Sequence, residues 1–95
     1  MTGTLALPTI HLNGTAAVDL LANAVDCVNA ISHSIDVLQK TAPNARDYYP
    51  QGSAAFSRAQ TEHAERIAML EMILADFQKI GEHVADHEIP KTRAS

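Results

Sequence analysis

Apolar side chains recur three and four residues apart along two long stretches of this chain, a period that predicts two amphipathic helices. In the first, residues 15–41, the stripe is Ala17, Leu20, Ala24, Cys27, Ile31 and Leu38, widened by Val18, Leu21, Val25, Val28 and Ile35. Asp19, Asn23, Asp26, His33, Asp36 and Lys40 fall on the other side. A helix of roughly 26 residues there is about 39 Å long. In the second, residues 53–87, Phe56, Gln60, His63, Ile67, Leu70, Leu74, Phe77, Gly81 and Val84 alternate in steps of four and three, the pattern of a bundle seam.

The middle of the second helix departs from simple amphipathicity. Between Ile67 and Phe77 only Glu71 and Asp76 are charged, while Met69, Met72 and Ile73 lie off the main seam. A two-helix hairpin leaves the outer side of each helix in water, so apolar residues around most of that circumference predict a second buried face. The expected fold is therefore all-α: a two-helix antiparallel hairpin, assembled as a homo-oligomeric bundle of at least two copies, most simply a four-helix bundle. If the helices fold back about the loop between them, facing residue numbers sum to roughly 95, which sets Ile31 near Ala64, Val25 near Leu70 and Val18 near Phe77.

The connector, residues 42–52, is longer and more specific than a spacer needs to be. It holds Pro43 and Pro50, Arg46 beside Asp47, and the paired aromatics Tyr48 and Tyr49. Each proline biases the residue before it away from helix, which stiffens the loop at both ends. Ahead of the first helix, residues 1–14 read as an extended arm in which Leu5, Leu7, Ile10 and Leu12 alternate with small or polar residues around Pro8. Asn13-Gly14-Thr15 then reads as a turn and helix cap, and Ser53 as the cap of the second helix. Folding the hairpin brings the arm back beside the end of the second helix. The tail, residues 88–95, carries no pattern.

A chain of 95 residues is a single domain and builds only a marginal core, so burial must come from folding back or from a partner. The net charge of −4 argues against a nucleic-acid polymer or an anionic membrane as partner. No run spans a bilayer and no signal peptide opens the chain, so a cytoplasmic location is expected. The one cysteine, Cys27, sits on an apolar helix face and reads as a small buried hydrophobe. Charge is unevenly placed: Lys40, Arg46 and Arg58 cluster at the hairpin tip against Asp47 alone, which leaves the remainder of the chain strongly acidic.

Catalytic and metal chemistry find little support. His83 and His87 stand four apart on one helix face, a spacing able to hold a metal, and an arm folding back would add His11. The carboxylate that completes a zinc-protease or diiron motif is missing from the pair, so neither a metal nor a cofactor is expected. His63 lies on the seam, where Ser32 or Ser34 would satisfy it. No nucleophile, base and orienter can be matched, and no glycine-rich phosphate loop occurs, so the chain is not expected to be an enzyme.

The loop residues are of types that recognise rather than react. Arg46 offers a planar donor fork suited to phosphate, Tyr48 and Tyr49 offer faces for a base, and Asn44 and Gln51 can bond a base edge or ribose. Lys40 and Arg58 add charge, and His11 and Asn13, beside Ile10, are the arm's candidates. The alternative for the loop is purely structural: Asp47 paired with Arg46 or Arg58, and the tyrosines capping the open end of the bundle.

The stretches Ile10-His11-Leu12-Asn13-Gly14-Thr15 and Pro43-Asn44-Ala45-Arg46-Asp47-Tyr48-Tyr49-Pro50-Gln51-Gly52, with Glu62-His63 and Arg66, resemble small uncharacterised proteins of phages and prophages over most of the chain. In architecture alone the chain also resembles the helical-hairpin phage proteins that form oligomers and sequester cyclic nucleotide signals, although their C-terminal aromatic motif is missing here. That resemblance implies a non-enzymatic protein that holds a small phosphorylated, nucleotide-like ligand in the host cytoplasm. The competing expectation is a protein–protein inhibitor or assembly adaptor that meets a host protein through the loop or the methionine-rich face.

Overall fold

The structure, a computed structural model, describes residues 5–88. Two helices, α1 (Ala17–Lys40) and α2 (Ser53–His83), lie antiparallel and account for an elongated shape of 66 × 27 × 24 Å. Two short 3-10 turns, Ala45–Asp47 and Tyr49–Gln51, fill the connector, and a π-helical turn, Val84–Glu88, continues α2. The all-α antiparallel hairpin expected from the apolar period is what the chain forms. Residues 1–4 and the tail from residue 89 lie outside the described residues.

Each helix begins later or differently than its turn residues suggest. Ala16 caps α1 with extended backbone and no side-chain bond, so Thr15 is not the cap. Gly52 takes the cap position of α2 at φ 101°, a left-handed value that glycine adopts without strain, and Ser53 is already helical. Thr41 ends α1: its backbone N–H and hydroxyl both donate to the Leu38 carbonyl, at 3.1 and 3.3 Å, with a second hydroxyl bond to Val37 at 2.9 Å.

The core is thin. Among the described residues, Ala24, Ile35, Ala55, Ala59 and Val84 are buried, and three of these are alanines. Small side chains on the seam let the backbones approach closely. A Cβ built at Gly81 would stand 3.5 Å from the Ala24 Cβ and 3.8 Å from the Leu21 Cδ1, so the helices touch through their smallest residues.

The register is displaced from the expected one. Leu38 lies beside His63, and Ala24 beside Gly81, which is two to three helical turns further along α2 than folding about the loop midpoint implies. The reason lies in the path of the connector. With Leu38 level with His63, α1 ends while residues 53–60 of α2 still project beyond it. The 3-10 turns run alongside these first turns of α2 instead of crossing its end. Tyr48 meets Phe56 there, and Ala55 and Ala59 are buried.

Gly81→Ala tests this packing. Its new methyl meets only ordinary van der Waals contacts, and removing a glycine from the last turn of α2, ahead of the π-helical turn, favours the helix by up to about 1 kcal/mol, so thermal unfolding should move up by a few degrees. Ala24→Leu forces bulk into the same approach and should lower stability by about 1–3 kcal/mol in urea titration.

Candidate functional site

The hairpin tip is an ordered structure. The Asn44 side chain accepts from the Arg46 backbone N–H at 2.9 Å, and the Asp47 and Tyr48 N–H groups donate to the Asn44 and Ala45 carbonyls at 3.0 and 3.1 Å. Gln51 and Gly52 repeat the pattern onto Tyr48 and Tyr49, at 2.9 and 3.0 Å. Pro50 fits because the second position of this turn needs no donor. Pro43 thus precedes two consecutive tight turns and Pro50 sits within the second.

The site residues divide into two kinds. Asn44 is committed to its own turn, and Tyr48 is half-buried with its ring 6.4 Å from that of Phe56, tilted by 38°. Both hold the tip together. Arg46, Gln51, Lys40 and Arg58 are exposed, as is Tyr49 at 72%. These five are what the tip presents outward. No ion pair joins Asp47 to Arg46 or Arg58 among the described residues, so charge pairing is not what fixes the loop.

His11 and Asn13 stand at the other end of the hairpin. The Gly14 N–H donates to the His11 carbonyl at 3.0 Å, and the imidazole folds over this turn so closely that a Cβ on Gly14 would come within 2.8 Å of its Nε2. The arm is tied to α2 by His83, whose Nε2 donates to the Pro8 carbonyl at 2.9 Å. One chain therefore does not unite the arm residues with Arg46 and Tyr49. The expectation that the arm lies beside the end of α2 holds.

His63 and His83 serve the fold. His63 donates from Nε2 to the Leu38 carbonyl at 2.6 Å, at the last turn of α1, and neither serine is its partner: Ser34 bonds the Ala30 carbonyl at 3.1 Å. Among the described residues no three His, Cys, Asp or Glu side chains cluster as metal ligands. The side chain of His87, and with it the suggested convergence of three imidazoles, lies outside the described residues.

Two further surfaces come from packing. An apolar groove of about 310 Å³ runs between the helices, lined by Leu21, Val25, Val28, Phe77 and Gly81. The sequence signal for it was Gly81, a gap on an otherwise bulky seam. On the opposite flank of α2, Met69, Met72 and Ile73 are 56, 66 and 43% exposed, an uncovered apolar patch at mid-helix. Cys27 is half-buried rather than fully enclosed. No helix among the described residues is long and apolar enough to cross a membrane.

No family model matches the chain, and no match was found among curated proteins or solved structures.

Substitutions separate the two kinds of tip residue. Asn44→Ala should cost about 1 kcal/mol through the lost cap, and Tyr48→Ala about 1–2 kcal/mol through the lost ring contact and packing. Tyr49→Ala should stay within about 0.5 kcal/mol of the parent, as an exposed side chain does. Hydrogen exchange at residues 45–52 should quicken in the first two variants and not in the third.

Proposed function

We propose that this protein works by binding and not by catalysis: a helical-hairpin association module that engages another protein surface through the mid-helix patch of α2. The observation that carries the reading is the exposure of Met69, Met72 and Ile73 together on a helix whose own seam already faces α1. These side chains are about half exposed, so covering what remains is worth roughly 1 kcal/mol apiece, a driving force that the hairpin alone forgoes. Methionine adapts to irregular partner surfaces, which suits a docking face. A thin alanine-rich core gives the hairpin itself little stability, and association supplies the missing burial.

A second reading attaches to the tip. Its outward residues Arg46, Tyr49 and Gln51 sit on a loop already ordered by its own hydrogen bonds, so holding a small phosphorylated, nucleotide-like ligand would cost little conformational entropy. The apolar groove between the helices lies away from the tip, and walls from a second molecule would complete a ligand site there. Calorimetry with linear and cyclic nucleotides decides it. Heat with the parent protein and none with Arg46→Ala supports the tip as a ligand site; no heat with any nucleotide removes it.

For the association reading, Met72→Glu/Ile73→Glu should remain helical by circular dichroism while losing association, read by light scattering on a sizing column and by pull-down from host lysate. A parent protein that elutes as a 10.2 kDa particle at tens of micromolar, and retains nothing that the double variant does not, would sink it.

A further inference from the structure

The exposed flank of α2 carries a charge pattern that reads the same from both directions with signs exchanged. Arg66, Met69, Ile73 and Asp76 lie three, four and three residues apart on one stripe, ordered cation, apolar, apolar, anion. This stripe is turned roughly 100° around the helix from the seam that packs on α1, the angle between two neighbours of one helix in a four-helix bundle. Beside it, one position outward, Glu65, Met72 and Lys79 stand seven residues apart as anion, apolar, cation. All seven side chains are exposed. Among the described residues, the ion pair of Arg66 runs along its own helix, to Glu62 at 4.0 Å, with more than half of its side chain in solvent.

From this we infer that the occupant of the α2 face is a second copy of the same chain, packed antiparallel about a two-fold axis through the middle of α2; the inference rests on the association reading above and names its partner. In that arrangement Met69 packs against the partner's Ile73, and Arg66 meets the partner's Asp76, each twice by symmetry. On the outer flank Glu65 meets the partner's Lys79, and the two Met72 side chains lie together at the axis. Both stripes are satisfied by one axis. A parallel pairing would set Arg66 against Arg66 and Asp76 against Asp76, which is repulsive at both charged layers of the central stripe, and would part Glu65 from Lys79.

The wider charge distribution favours the same orientation. Within residues 5–88 the half of the hairpin nearer the tip is balanced, whereas the half nearer the arm holds Asp19, Asp26, Glu71, Asp76, Glu82, Asp86 and Glu88 against Lys79 alone. Antiparallel packing sets each acidic half against the partner's balanced half. The face is large enough. Two helices side by side, about 20 Å across and about 36 Å long, offer about 700 Å² per copy, within the range of stable interfaces. The axis also carries each tip to the arm end of its partner, which brings Arg46 and Tyr49 toward the partner's His11 and Asn13, groups that one chain holds apart.

Charge reversal and directed cross-linking test this. Arg66→Asp and Asp76→Arg should each raise the dimer dissociation constant about tenfold, and the double reversal should restore it to within about threefold. In a Cys27→Ser background, Glu65→Cys should join to Lys79→Cys across copies with a short bifunctional thiol reagent when the two are mixed, while neither joins to itself. Self-joining of Glu65→Cys, or a double reversal no better than either single one, overturns the antiparallel two-fold but leaves the association reading standing. A parent protein monomeric at tens of micromolar overturns the second copy as occupant. The pull-down with Met72→Glu/Ile73→Glu then decides separately whether the face serves another protein.

Discussion

The hairpin depends on the close approach of α1 and α2 where Ala24 meets Gly81. Two helices can pack at short range only where side chains are small, and beside this contact Leu21, Val28 and Phe77 line the apolar groove. The same economy limits the core. Ala24 and Gly81 contribute little apolar area themselves, so this contact sets the approach of the helices and not the bulk of the burial. Apart from Ile35 and Val84, the larger apolar side chains among the described residues are half-buried or exposed.

The connector shows how a loop can be specified by hydrogen bonds without ion pairs. The Asn44 side chain starts one tight turn, Pro50 is accommodated in the next, and Gly52 reverses the backbone into α2 at a φ no other residue type would adopt cheaply. Tyr48 then fixes the whole loop against Phe56. Because the loop is held from below, its other side chains need not hold it, and Arg46 and Tyr49 are left outward. Order in the backbone and exposure in the side chains are two results of one arrangement.

Much of the fold was legible in the residues. The three-four spacing of apolar positions sets helix existence and face, and both helices, the loop between them and the folded-back arm follow from it. The register did not follow, because periodicity describes one helix at a time. The lateral offset between two helices depends on how far the connector travels along α2 before turning, and that distance is stored in the 3-10 turns. Helix starts were misread for a related reason: Thr15 and Ser53 have capping side chains, but Ala16 and Gly52 hold the backbone geometry at those points, and geometry prevailed over side-chain preference. At the candidate site, residue type could nominate Asn44, Tyr48 and Tyr49 equally. Only packing distinguishes the two that build the loop from the one that it displays.

The off-seam methionines carry the last step. An apolar residue exposed singly on a helix is unremarkable, since no protein has enough polar surface to cover itself. Three of them gathered at mid-helix, bracketed by opposite charges at matched distances, constitute a pattern that a solvated face has no reason to keep. The α1 seam and this stripe divide the circumference of α2 into two apolar contacts about a quarter-turn apart, and that division is the geometric condition for a helix with two neighbours. The hairpin supplies one of them. On the two-fold packing proposed above, the charges along this stripe, arranged with a sense along the helix, set the direction of the other.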